Sequence, residues 1–433
     1  MTDRPGRAVQ RSGAGELGLD AATSANPRIV RGLARLDSGS TGPGHFASAS
    51  GEDVYDIDFP NDRSAGRLWG RIDGSWLLLG DARGRVRLPV ETRLRFENDQ
   101  QQFRVEDALT LSQLQSLDEL WLSGRTVDDD GLRLLAPAGE LRVLALTYAS
   151  VSDDGVREVA RVTSLRSLDL RLPNLTDSGV AHLTALTRLR SLGIARANVT
   201  DAGLANIGTL RELRQLGLRR TRITDEGVAA LGSLLALAGV DFGWSRIGNA
   251  GLRALGGLSG LRTLGLNGTL VSDAGLQRLQ DLHGLGTLEL QGTWITDIGL
   301  ESVARLAKLN ALNISETAIT DDGLPSLAPL RLLASLNLRL TAVTDRGVDC
   351  APELPRLRTL DLSGTGVTDR GLRSLRRFPA LTTLMLADTD VSDAGVKSLY
   401  ALKRLTRLGV QRTRMTRAGL DRLHERFPEL VFV

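Results

Sequence analysis

The side chains best suited to chemistry are few and scattered. Four histidines, His45, His182, His283 and His424, lie far apart in sequence, and Cys350 stands alone. One cysteine leaves no disulfide framework and no cysteine metal site. His424-Glu425 lacks the second histidine of a zinc-binding His-Glu-x-x-His, and neither a Gly-x-Ser-x-Gly elbow nor a phosphate loop occurs. The carboxylates that do recur, such as Asp177, Asp201, Asp297 and Asp345, come once per 24 residues. Each sits where a helix should begin, so capping accounts for them better than metal binding. No acid, base, nucleophile and metal set converges, and the expectation is a protein that is not an enzyme and has no cofactor.

The recurrence itself is the main signal. Thr200-Asp201-Ala202-Gly203-Leu204 is one of a series whose glycine falls at 131, 155, 179, 203 and every 24 residues thereafter to 419. A fixed period in this range marks a solenoid, in which each unit buries its apolar face against its neighbours. The unit reads Leu-x-x-Leu-x-Leu-x-x-Thr-x-Val/Ile-Thr/Ser-Asp-x-Gly-Leu-x-x-Leu-x-x-Leu-x-x. Its Leu-x-Leu core, as in Leu264/Leu266 or Leu360/Leu362, is a strand with alternate side chains inward. The hydroxyl at 176, 200, 224, 296, 320, 344 or 368 caps a short helix. The Asp that follows favours the positive end of the helix dipole. Helices are wider than strands, so the stack curves with its parallel sheet on the concave face and its helices on the convex face.

This unit resembles a leucine-rich repeat, of the subclass found in F-box adaptor proteins and in many bacterial leucine-rich repeat proteins. The resemblance covers about 111–433. It implies an α/β leucine-rich repeat solenoid and protein–protein recognition, usually on the concave face. The ladder position, often Asn or Cys in that family, is Thr or Ser here, at 221, 245, 269, 293, 317, 341, 365, 389 and 413. A buried hydroxyl there is expected to bond the backbone of the next coil.

The preceding residues differ. Residues 1–50 are rich in Gly, Ser, Ala and Arg, and read as a disordered tail with a short helix near 27–36. From 51 to 108, period-two alternation in Val54–Phe59, Leu68–Ile72, Val86–Val90 and Arg93–Phe96, with the apolar run Trp76–Leu79, predicts a small β-rich domain. Its simplest role is to cap the first coil of the solenoid, which spans 109–433 in about thirteen repeats. Leu88-Pro89-Val90-Glu91 is similar to the opening of an F-box, but strand-like alternation follows it. At the other end, Phe427–Val433 restarts the strand motif one residue out of step, leaving an edge through which a homodimer could form.

Composition bounds the rest. The net charge is +3 and only Lys308, Lys397 and Lys403 are lysines, so the basic side is nearly all arginine, as in a high-GC bacterial genome. The start carries no apolar stretch of a secretory signal and no run long enough to span a membrane, so a cytoplasmic location is expected.

The concave face can be enumerated: the residue between the two leucines and the first after them point outward. This gives Trp121, Asp169, Arg171, Arg219 and Asp241 in the first half. Asn267, Glu289, Gln291, Asn313, Asn337, Arg339 and Asp361 follow. Trp244, beside Tyr148 and Trp294 at variable positions, is a further candidate anchor in the least regular unit. Mixed signs and amides suit a protein or peptide partner. Alternatives are an F-box-like adaptor or effector, and nucleic acid or an acidic partner held by basic C-terminal units such as Arg373, Arg376 and Arg404. If the register is right, Leu264→Ala should cost about 2–5 kcal/mol and Gly265→Ala little.

Overall fold

The computed structural model describes residues 54–59, 64–72, 75–89, 93–98, 104–112, 114, 116–135 and 140–433. The expected tail and the helix near 27–36 lie outside these residues.

One coil shows how the sequence turns. The strand Thr287–Glu289 pairs in parallel with Thr263–Gly265 before it and Ala311–Asn313 after it, with Leu264, Leu288 and Leu312 in register. Leu288 and Leu290 are fully buried. Thr296 then caps the helix Asp297–Val303, accepting from the Ile298 N–H. Leu300 and Val303 turn inward from it. The chain has few residues left before the next strand, so convex helices stay short. Where Pro325 removes a backbone donor, that side is a 3-10 turn, Asp321–Leu327.

Five strands precede the repeats: β1 (Val54–Asp58), β2 (Gly66–Ile72), β3 (Ser75–Asp81), β4 (Arg85–Pro89) and β5 (Leu94–Asn98). β1 and β4 form a separate antiparallel pair. β2 lies antiparallel between β3 and β5, and β5 pairs in parallel with β6 (Leu117–Ser123). From β6 the sheet continues in chain order through fourteen parallel strands to Val431–Phe432. Among the described residues the line of pairings is open, and Val431–Phe432 pairs with Arg407–Gly409 alone. The final strand keeps the 24-residue step, with Phe432 opposite Leu408, so the expected slip of one residue does not occur in the pairing.

The coils are joined by a contact that spans units. In ten of the twelve junctions from Asp129–Ser152 to Asp393–Thr416, the Asp of one coil accepts two bonds from the capping residue of the next; the exceptions are Asp225, which meets only the Gly248 N–H, and Asn249, which uses its amide. In the ten, one Oδ takes the backbone N–H at 2.7–2.9 Å, the other the hydroxyl at 2.5–2.7 Å. The motif glycine makes room for this carboxylate. A Cβ on Gly203 would lie 2.5 Å from Asp177 Oδ1, and one on Gly371 equally close to Asp345 Oδ1. The recurring Asp is therefore an inter-coil staple as well as a first-turn acid. Bonding from the Thr416 hydroxyl, first among its causes, holds the Asp393 carboxyl below its usual range.

The ladder hydroxyls behave differently from expectation. Thr221, Ser245, Thr269, Thr293, Thr317, Thr341, Thr365, Thr389 and Thr413 each donate to the carbonyl three residues earlier in their own coil, as in Thr269 Oγ1 to Leu266 O at 2.6 Å. A short hydroxyl reaches the adjacent turn more readily than the next coil, so it closes the corner after the strand.

The staple predicts coupling. Asp345→Ala and Gly371→Ala should each destabilise the chain by about 1–3 kcal/mol, the first by lost bonds and the second by collision. The double variant, measured by denaturant unfolding, should cost clearly less than the sum, because removing the carboxylate removes the collision.

Candidate functional site

The strand alternation that buries the leucines turns a central row of side chains outward. It runs Asp169, Gly193, Gly217, Asp241, Gly265, Glu289, Asn313, Asn337 and Asp361 along consecutive strands. Glycines follow aspartates for steric reasons: a Cβ on Gly193 or Gly265 would lie 2.5 Å from the Oδ1 of Asp169 or Asp241. Gly265→Ala is therefore not the mild change expected from sequence, since Asp241 is buried and held.

Several outward residues are engaged in shaping the strand ends. Asp241, Asn313, Asn337 and Asp361 each accept from the backbone N–H two residues on, at 2.8–3.1 Å. Such local bonds turn the chain off the strand. Asn267, also buried, accepts from the Gln291 N–H at 2.8 Å.

Two clusters stand out. Arg219 Nη1 donates to Asp241 Oδ2 at 3.0 Å, and its guanidinium lies 4.5 Å from the centre of the Trp244 ring, with that of Arg220 at 5.3 Å. Glu289, half-buried, accepts from Asn313 Nδ2 at 2.8 Å, while Gln291 Nε2 bonds Glu316. Burial, reinforced by the charge of Asp241, pushes the Glu289 carboxyl above its usual value against bonds from Asn313 and Asn267 and the charge of Arg219. At the other end, Trp121 lies beneath Arg95, which also covers Trp76 and pairs with Glu119. Asp169 pairs with Arg171 at 3.4 Å, and Arg339 is exposed.

The sequence reading missed most of a second row. One residue beyond the outward pair, Tyr148, Arg196, Arg220, Trp244, Glu316, Leu340, Asp388 and Arg412 all have φ of 53° to 59°. Gly124, Gly268, Gly292 and Gly364 fill the same place in other coils, also with positive φ. The left-handed region disfavours residues with a Cβ by about 1–2 kcal/mol each. Large and charged side chains thus line the rim where the backbone favours glycine, and strain of this kind collects at binding surfaces. The available signal was that the position holds glycine in some units and bulky residues in others.

Trp244 leans over Gly268, and Leu340 over Gly364. The irregular unit keeps its staple through an amide: Asn249 bonds the hydroxyl and N–H of Ser272 at 2.9 Å. His182 is half-buried and His283 exposed, both on the helical side, and Cys350 is exposed at a helix end. Among the described residues, no three of His, Cys, Asp and Glu are placed to share a metal ion, and no helix is long and apolar enough to cross a membrane.

A stapled stack of strand–turn–helix coils that presents one long parallel sheet is a repeat scaffold of the protein-interaction kind. The chain matches the family model of a leucine-rich repeat region over residues 151–396, more than half its length, and belongs to that family. Among solved structures it is similar to an internalin from Listeria monocytogenes, with TM-score 0.50 and 21% identity over 71% of this chain and 83% of that one. It is also similar to a leucine-rich repeat protein from Leptospira interrogans, with TM-score 0.50 and 17% identity over 75% and 91%. At these identities the likeness concerns the fold. No curated protein matches the chain.

The raised pKa of Glu289 fixes a sign. The folded state holds this proton more tightly than the unfolded chain does, so stability falls as pH rises from the unfolded value through the raised one. Glu289→Gln should therefore raise the melting temperature at pH 7, with the gain fading below about pH 4. On the rim, Glu316→Gly and Leu340→Gly should be neutral or stabilising by up to about 1 kcal/mol in denaturant unfolding, since relief of strain outweighs added chain entropy.

Proposed function

We propose that this protein is a non-catalytic scaffold that binds a protein or peptide partner on its concave face, and that the left-handed rim row supplies much of the contact. The observation that carries this reading is the retention of Tyr148, Arg196, Arg220, Trp244 and Leu340 at positive φ. Glycine serves the backbone at the same place in four coils, so the fold does not require these side chains. Trp, Tyr and Arg are the residue types that anchor interfaces. Of the strand residues expected from sequence, Trp121, Asp169, Arg171, Trp244, Glu289, Gln291 and Arg339 retain solvent access and join the rim in the proposed contact. Asp241, Asn267, Asn313, Asn337 and Asp361 support it by setting the strand ends.

Part of the positive charge of the C-terminal coils is offset within them. Arg346, Arg412, Arg414 and Arg422 are paired with Asp322, Asp388, Asp390 and Asp393, which reduces the positive field a phosphate backbone would meet. We further propose that β2, β3 and β5 cap the first coil, since Leu68, Leu94 and Phe96 are buried where the sheet continues into β6.

The test is affinity capture with crosslinking mass spectrometry, comparing wild type with Arg196→Glu/Arg339→Glu. Both arginines are exposed. Arg219 is unsuitable, because its reversal would leave buried Asp241 unpaired. Loss of a partner by the variant, with crosslinks on the strand face, is the expected result; a partner retained equally by both would remove the concave reading.

A further inference from the structure

The repeat allows one position to be compared across coils. On the flank between sheet and helices, the residue two before the helix cap is polar in most units: Ser150, Asn174, Asn198, Arg222 and Arg246. It then becomes Leu270, Trp294, Ala318 and Ala342, and returns to charge at Asp390 and Arg414. Leu270 is 58% exposed and Trp294 71%. Ile298, in the first turn of the helix that follows Trp294, is 64% exposed where the preceding coil carries Ala274 and the two following coils Asp322 and Arg346. Three large apolar side chains on adjacent coils are thus open to water together. Single exposed apolar residues are ordinary, but a contiguous patch marks an interaction surface.

We propose that this flank is a second docking surface, separate from the concave face, for a protein segment that carries a large apolar side chain followed or preceded by a carboxylate. The apolar anchor is set by Trp294, the type of residue most enriched at interface hot spots, with Leu270 and Ile298 beside it. The acidic preference is set by what continues the row. Arg246 and Arg222 are exposed, and neither is in an ion pair with the described residues. Of the carboxylates near the strip, Asp273 and Asp297 are half-buried and turned to Thr296 and Thr320, Asp322 pairs with Arg346, and Glu316 bonds Gln291, while Glu301 lies off the row on the helix that carries Ile298. Glu226, exposed on the coil of Arg222, offsets one of the two arginines and leaves Arg246 as the open charge next along the row from Leu270.

The spacing follows from the backbone. Each flank N–H bonds a carbonyl of the preceding coil, as Arg246 to Ile223 at 3.0 Å, Leu270 to Ile247 at 2.8 Å and Trp294 to Val271 at 2.9 Å. The row therefore steps like a sheet, about 4.8 Å per coil, and Arg246 lies roughly 10 Å along the row from Trp294. An extended ligand covers that distance in about three residues. The segment should carry Asp or Glu about three residues from a Trp, Phe, Leu or Ile.

The test is selection from a random-peptide phage library on the full chain, with counter-selection on Trp294→Ser. Trp294 is exposed, so this variant should melt as the wild type does. The expected result is enriched peptides with that apolar–acidic spacing. Their binding, measured by fluorescence polarisation, should weaken roughly tenfold or more with Trp294→Ser and with Arg222→Glu/Arg246→Glu, and stay unchanged with Arg196→Glu/Arg339→Glu. Three outcomes would overturn the proposal: no enrichment, enriched peptides without carboxylates, or binding that responds to the concave variant and not to Trp294→Ser. A wild-type dimer by light scattering that Trp294→Ser converts to monomer would also overturn it, since a second copy would then own the flank.

Discussion

All but one of the coil junctions from Asp129 to Thr416 are fastened by a carboxylate that reaches across, and the remaining one by the amide of Asn249. The Asp of one unit holds the N–H and hydroxyl of the following cap while resting on the following glycine. A charge-assisted bond of this kind is stronger than a neutral one, and it is directional where leucine packing is not. The buried leucines favour stacking, but they would tolerate small rotations between coils. The staple fixes the rotation, because both oxygens must meet their donors and the glycine must lie beneath them. The register of the sheet, and so the line of outward side chains, depends on it.

That constraint explains both the success and the error of reading the motif from sequence. Period, strand, cap and inward leucines are local or repeat by addition of 24, so they were legible. The partner of Asp297 is Thr320, 23 residues on and in another unit. Within its own unit Asp297 looks like a helix-dipole acid, which is a sufficient account until the coils are placed side by side. The ladder threonines depart from expectation in the other direction. Thr269 was expected to bridge coils and instead bonds Leu266 in its own. The hydroxyl that bridges coils is the capping one, which keeps its cap bond as well, and composition cannot separate it from the ladder hydroxyl.

The concave face was legible as a list of outward positions but not as a division of labour. Alternation states that Asp241 and Arg339 both leave the core. It does not state that Asp241 is buried between Arg219 and the Gly243 N–H, while Arg339 stands in solvent. Asp and Asn at the strand end are the residues that bend a chain locally, and here they do so. The rim was missed for a related reason. Positive φ is normally inferred from glycine, and Arg196, Trp244 or Leu340 gives no such sign.

Strain at the rim and stapling at the junctions belong to one argument. Eight residues with side chains in the left-handed region represent on the order of 10 kcal/mol of unfavourable backbone energy. A single small domain could not carry that, since its whole stability is of similar size. A solenoid can, because the eight are spread one to a coil, each set against that coil's own buried leucines and its bonds to the next. The cost is distributed while the side chains are gathered into a row. Packed coils hold that row in place, which would lower the ordering entropy for a partner of the proposed kind. The same packing spaces the flank residues Arg246, Leu270 and Trp294 at sheet intervals. Two surfaces of different chemistry are thereby presented by one backbone lattice, the concave one mixed in charge and the flank apolar with an arginine border.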